Sequence, residues 1–332
     1  MSVLLILPLI TGCAKEIPIQ TEFVLGTVCT VQLYHYGSAK IYNAVFSRVR
    51  EIENRMSVVI PDTDIARINR NAGIEPVPVH QEVITLLERS RYYAELSGGA
   101  FDPTVGPLVK LWDITSEHPR LPSAEAIQEA LALIDWRDVI INREAETVFL
   151  RRIGMALDLG AIAKGYAADE AIKIIKQAGI PRGIIDFGGN IFAYGEKASP
   201  KSPWRIGVQH PLGGRGSYIG ILEVSNKSVV TSGVYERYAE IDGVRYHHIL
   251  STADGYPVHN GLLSVTIIAD ASVDADALST AVFALGYEQG KALVESLGTA
   301  DAVFIFADTA IRFSQGAEAL FKETSASRFP EK

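Results

Sequence analysis

Cysteine is nearly missing from this chain: among 332 residues only Cys13 and Cys29 occur. Two cysteines cannot build a disulfide framework, and no Cys pair stands at metal-binding spacing, so neither staples nor a thiolate metal centre hold the fold. Basic clusters are missing as well. The net charge is −8 and Lys and Arg form no run, which argues against nucleic acid or an anionic membrane surface as the main partner. No apolar stretch reaches the ~20 residues that a membrane-crossing helix needs. Pro- or Ser-rich linkers, low-complexity tracts and internal repeats are absent too, so no interior domain boundary is marked. What is left, 48% apolar and 21% charged residues, suits a globular protein able to bury a full core. Any anionic ligand must then be gripped by a local site.

The apolar run near the start, VLLILPLI, has the length of an export signal rather than of a span. It ends in Ile10-Thr11-Gly12-Cys13, which resembles the bacterial lipobox, in which the cysteine receives the lipid and becomes the first residue of the mature protein. The expectation is a lipoprotein signal peptide at residues 1–12, a tether at 13–19 and a folded part at 20–327. The protein would lie in the cell envelope, facing the periplasm and anchored to the membrane through lipid on Cys13. No Lys or Arg precedes Cys13, which points to a start further upstream. Lipidation would leave Cys29 without an internal partner, and its alternating surroundings, FVLGTVCTV, read as a strand that buries it.

Residues 20–36 alternate as a strand, and Val45, Val49, Ile52 and Met56 then recur at helical spacing. A second amphipathic helix carries Val83, Leu86 and Leu87 and stops at Ser97-Gly98-Gly99. A short helix is predicted over 123–134 and a hairpin over 137–150 around Asn142-Arg143-Glu144. Asp158 to Gly160 reads as a strand end feeding a helix from about Ile162 to Gly179. Ile184 to Phe187 is again a strand, short β segments with Gly-rich turns fill 203–268, and a helix covers about 273–285. The class is α+β, with mixed or antiparallel sheet flanked by helices.

Four segments on this scaffold carry chemistry. In Asp158-Leu159-Gly160-Ala161-Ile162-Ala163-Lys164-Gly165, small residues leave backbone groups exposed at a helix N-terminus, which attracts anions. Lys164 adds a mobile charge suited to phosphate, and Asp158 can accept hydrogen bonds from a ring or ribose; a plain Gly-Ala-rich helix start is the competing explanation. In Asp276-Ala277-Leu278-Ser279-Thr280, i,i+4 spacing puts a carboxylate and a hydroxyl on one helix face, an oxygen-only set suited to Mg²⁺. A helix start with Asp276 near the dipole and Thr280 packed inside is the alternative, and Asp270 and Asp274 are rival carboxylates. The stretch Gly98 to Leu108, with Pro103 and Pro107, shapes either a site or a tight corner. Finally, Tyr246-His247-His248-Ile249-Leu250 places paired histidines at a strand end, where a base or a hydrogen-bonding group is a better reading than a metal ligand.

Together these segments resemble the FAD:protein FMN transferase (ApbE) family, in the right order over nearly the whole mature chain. Leu25-Gly26-Thr27 is similar to the family's Met-Gly-Thr strand, and Gly99 to Leu108 to its glycine-to-leucine loop. Asp158 to Gly165, Ile185 to Ile191, Thr231-Ser232-Gly233 and Asp276 to Thr280 match further family segments. The resemblance implies a bilobal α+β fold with FAD in a cleft and Mg²⁺ at its pyrophosphate. It puts Leu25, Val59, Ala100, Phe101, Asp102, Asp158, Lys164 and Leu250 at FAD. The metal would be held by the Ala161 carbonyl and the side chains of Asp276 and Thr280. Departures are Leu25 for methionine, an apolar Val59 where polar or aromatic residues are known, and Ser279 where some members carry another acidic ligand. In the turn Ser251 to Gly255 the family's first Asp is absent, so no role transfers there.

The implied reaction is Mg²⁺-dependent transfer of FMN from FAD to a Thr or Ser hydroxyl of an acceptor flavoprotein, with release of AMP. His248 is the candidate base and Asp276 its rival. Two other readings use the same site: FAD pyrophosphate hydrolysis to FMN and AMP, and a lipid-anchored FAD-binding protein without catalysis.

Overall fold

The computed structural model describes residues 19–198, 202–214, 216–308 and 310–324. The expected signal peptide, Cys13, the expected tether up to residue 18 and the chain end from 325 lie outside the described residues. Eight strands form one antiparallel sheet in which neighbours follow chain order: Gln20–Val24, Thr27–Tyr34, Arg182–Phe187, Asn190–Tyr194, Lys227–Gly233, Leu262–Ala269, Ala300–Phe306 and Ile311–Phe313. Among the described residues the α-helices are α1 (Ala39–Met56), α2 (Asp64–Arg70), α3 (Gln81–Leu96), α4 (Gly106–Trp112), α5 (Ala124–Leu131), α6 (Ala163–Gln177), α7 (Ser272–Leu285), α8 (Tyr287–Leu297) and the short α9 (Ala317–Leu320).

Strand periodicity decides which face meets which layer. Ile185, Phe187, Phe192 and Val230 enter the main core with the helices. Their neighbours Ile184, Ile191 and Val229 point the other way, onto a three-stranded sheet of Trp204–Gln209, Tyr218–Val224 and Phe321–Glu323. Covered on both faces, a central strand such as LLSVTIIA is buried almost throughout. The large sheet is thus a wall between two cores, and the insertions between its strands carry the site.

Three helices arise as their patterns predict. α1 buries Tyr42, Val45, Phe46, Val49, Ile52 and Met56, α3 stops where Gly98 and Gly99 take φ of 61° and 88°, and α5 is capped by Ser123, whose hydroxyl accepts from the Ala126 N–H. The hairpin Val139–Asn142 and Thr147–Leu150 also forms, as does α7. The α+β class holds, and among the described residues every paired strand is antiparallel to its neighbour. Among the described residues no helix is long and apolar enough to cross a membrane.

Two segments fold differently from their sequence patterns. Residues 20–36 make a hairpin rather than one strand, because Leu25 and Gly26 adopt φ of 57° and 65°, the left-handed pair a two-residue turn requires. Asp158 to Gly160 is an irregular segment, not a strand end. Its neighbour Leu157 is held on both sides by one side chain: Asn69 Nδ2 donates to the Leu157 carbonyl at 2.9 Å, and Asn69 Oδ1 accepts from the Leu157 N–H at 2.7 Å. A single bridge, Val105 to Ala156, is all the strand-like pairing nearby.

Candidate active site

The loop after α3 is fixed by buried hydrogen bonds before any ligand arrives. Asp102 Oδ1 accepts from the Thr104 N–H at 2.8 Å and from its hydroxyl at 2.6 Å, while Oδ2 accepts from the Trp136 N–H at 3.0 Å. Burial lifts the Asp102 carboxyl above the usual range against the pull of these donors. Its carboxylate is spent on shaping the loop, so what Asp102 offers a ligand is chiefly well-placed backbone. Thr252 ties the loop down from outside by donating to the Gly99 carbonyl at 2.7 Å, and the Asp158 N–H donates to Pro103 at 2.8 Å.

The start of α6 and the side of α7 meet next. Asp158 Oδ1 accepts from the Gly160 N–H at 2.7 Å. Lys164 Nζ donates to the Gly160 carbonyl at 2.8 Å and lies 3.4 Å from Asp276 Oδ1. The other oxygen of Asp276 accepts from the Gly165 N–H at 2.9 Å. These contacts need the two helices to touch, and they do: Gly165 lies flush against Ser272, and Asp169 accepts from the Ser272 and Val273 N–H groups at 2.8 and 2.9 Å, tying α7's first turn to α6. Ser279 turns inward, its hydroxyl donating to the Asp276 carbonyl and meeting Ser232 Oγ at 2.8 Å.

His248 follows the strand Val244–His247 and is half-buried. Its Nδ1 lies 3.1 Å from the Arg237 carbonyl; a carbonyl only accepts, so Nδ1 carries the proton and Nε2 keeps its lone pair. Burial pushes the imidazole down to about 4, the Arg237 carbonyl opposes this, and the charges of Arg237 and Lys164 add to the lowering. The ring is neutral near pH 7.

These groups surround one cavity of about 280 Å³, close to the lower end of the roughly 300–1,000 Å³ of ligand pockets. Ala100, Phe101, Asp102, Asp158, Ala161, Lys164, His248, Leu250, Asp276 and Thr280 all line it. Leu25 and Val59 do not. Leu25 sits at the hairpin tip with its N–H on Glu53 Oε1 at 2.7 Å, and Val59 lies 84% exposed in the turn after α1. Both stand at the C-terminal end of α1, and the hairpin meets the cavity lining at Gly188, whose N–H donates to the Val28 carbonyl.

The cavity also holds residues beyond the expected site residues. Arg237 brings a second cation to the lining, and Asn190, Thr231 and Ser232 contribute its sheet side. Thr231 and Asn190 fall inside family-like segments, which was a usable signal; Arg237 stands in no motif at all.

A lysine, a buried carboxylate, carbonyl and hydroxyl oxygens and a neutral imidazole around one cavity define an α+β protein equipped for phosphoryl chemistry on an anionic substrate. A family model described as the ApbE family matches residues 25–304. The chain is 41% identical to the FAD:protein FMN transferase of Treponema pallidum, spanning 90% of this chain and 86% of that one. It is 38% identical to a Klebsiella pneumoniae protein of the same name, over 85% and 86%. The ApbE protein of Thermotoga maritima superposes with a TM-score of 0.85 at 34% identity, covering 92% of this chain and 99% of that structure. This chain belongs to the ApbE family and is an enzyme.

Proposed function

We propose that the protein transfers the FMN half of FAD to a Thr or Ser hydroxyl of an acceptor flavoprotein and releases AMP. The observation that carries this reading is the meeting of Lys164, Asp276 and His248 in one cavity. In the reaction the acceptor hydroxyl oxygen bonds to the phosphorus on the FMN side, the bond from that phosphorus to the bridging oxygen breaks, and the bridging oxygen leaves on AMP. Lys164 neutralises charge on the pyrophosphate. His248 Nε2 takes the hydroxyl proton, since Nδ1 is committed to the Arg237 carbonyl. Asp102, through the loop it holds, and Phe101 and Leu250 shape the wall for the flavin nucleotide.

The donor set fits a hard divalent cation. Asp276 Oδ1 and the Gly160 carbonyl already gather the Lys164 ammonium between them, and Thr280 and the Ala161 carbonyl add oxygens. Among the described residues no three His, Cys, Asp or Glu side chains form a cage, so such an ion would share its shell with ligand oxygens and water, the habit of Mg²⁺. When bound, Mg²⁺ would supply charge neutralisation at the pyrophosphate.

Incubation with FAD, Mg²⁺ and an acceptor flavoprotein domain should raise the acceptor's mass by FMN less water, with AMP in equal amount. Free FMN and AMP without acceptor modification would instead identify a pyrophosphatase, and binding without product a non-catalytic FAD-binding lipoprotein. His248→Ala should lose transfer while keeping FAD affinity; unchanged transfer removes His248 from the mechanism. The lipobox-like Ile10-Thr11-Gly12-Cys13 supports export and a lipid anchor facing the periplasm, tested by palmitate labelling of wild type against Cys13→Ala.

A further inference from the structure

Asn190 lines the cavity while only 2% exposed, and its Nδ2 has no hydrogen-bond partner. A buried donor left unpaired is costly, and native proteins keep few of them. Nothing in the backbone leaves it slack: Asn190 pairs with Phe187 across the turn at Gly188-Gly189 on one side and with Val230 on the other.

The sheet register fixes what the side chain faces. Phe192, two residues on, and the partner Val230 both belong to the helix-side core, so Asn190 shares the face covered by α6 and α7. Ser228 Oγ meets Ser272 Oγ at 2.9 Å, and four residues further along the same strand Ser232 Oγ meets Ser279 Oγ at 2.8 Å. Along α7 Asp276 falls between Ser272 and Ser279, as Val230, the partner of Asn190, falls between Ser228 and Ser232. Asn190 therefore lines, from the sheet side, the same cavity as Asp276 and Lys164, the groups suited to phosphate.

We propose that Asn190 is a substrate-binding residue whose amide N–H donates to a non-bridging oxygen of the bound pyrophosphate. The assignment rests on the reading of the cavity as an FAD site. A neutral donor adds direction without adding charge, so it orients the phosphoryl group that Lys164 only attracts. In the free enzyme its hydrogen-bonding capacity is unspent, which gives the proposal an unusual signature: removing the amide should spare the apo protein and harm the complex.

The test is Asn190→Leu, with Asn190→Ala as the variant that adds no bulk, titrated with FAD, ADP and riboflavin in the presence of Mg²⁺ and melted without ligand. The expected result is a roughly 10–100-fold loss of affinity for FAD and ADP, unchanged riboflavin binding, and an apo melting temperature equal to or above wild type. Unchanged FAD affinity in a folded variant overturns the proposal, as does an equal loss for riboflavin, which would move the contact to the flavin ring. A lowered apo melting temperature in both variants would make the residue structural. Wild type that binds neither FAD nor ADP overturns the FAD reading itself, a result visible before any variant is made.

Discussion

Gly165 is where the two site helices touch, and replacing it should disable the enzyme more than it unfolds it. A Cβ added there would stand 2.2 Å from the Ser272 carbonyl oxygen and 2.7 Å from the Val273 Cα, whereas relaxed contacts of carbon lie at about 3.5–4.0 Å. In Gly165→Ala, α7 must therefore retreat by about 1 Å or more. Overpacking of this kind costs about 1–3 kcal/mol, and the better helix propensity of alanine offsets at most about 1 kcal/mol. The net loss of at most about 3 kcal/mol leaves a folded protein. Activity suffers more, because the same retreat pulls Asp276 off the Gly165 N–H and away from Lys164, and a misplacement of about 1 Å can cost roughly 100-fold in rate. FMN transfer at saturating FAD, read beside thermal unfolding, should show a rate loss far larger than the stability loss. Gly214→Ala, where an added Cβ meets nothing within 4 Å, is the control. Transfer by Gly165→Ala within twofold of wild type would refute the reasoning.

Other expectations follow from burial and charge. His248 acts deprotonated, and its lowered value of about 4 keeps it so across the neutral range. The acid limb of kcat/KM assigned to this residue should fall near pH 4, and a limb near 6.5 that vanishes in His248→Ala would contradict the burial argument. Asp169→Ala removes the acceptor for two N–H groups of α7 and should cost about 1–2 kcal/mol in urea unfolding, by analogy with a lost helix cap; equal stability would dismiss the tie between α6 and α7. Burial, then the carboxylates of Asp186 and Glu53, push the Cys29 thiol up to about 12. Protein beginning at residue 20 should resist iodoacetamide at pH 8 until it unfolds, and rapid labelling of the native form would show the thiol to be accessible.

Legibility tracked how local each signal was. α1 and α3 could be read because many buried positions repeat at helical spacing, whereas α8 buries only Gly290 and Val294 and presents too thin a stripe to announce itself. The turn at Leu25-Gly26 escaped notice because leucine holds a left-handed position usually given to Asn, Asp or Gly. In the site, Lys164 and Asp276 are 112 residues apart, so no spacing rule could join them; only the likeness of whole segments did. Asn190 falls inside a family-like segment, but after two turn glycines an Asn looks like turn chemistry, and the role proposed for it needs the sheet register to be seen.

Those same registers bear on how the site takes its ligands. Lys164 and Asp276 are a closed, mostly buried pair, with side chains 19% and 5% exposed, so the ligand-free enzyme holds both charges compensated. On the proposed reading, phosphate oxygens claim the ammonium and a divalent cation claims the carboxylate. Separating a buried pair while leaving one member bare costs about 3–5 kcal/mol, so an anion that drew Lys164 away alone would strand Asp276, and a cation that took Asp276 alone would face the lysine's repulsion. Each ligand relieves the penalty that the other creates. On that reading the pair would favour nucleotide and metal arriving as one complex, with charges that the fold already brings together through Gly165.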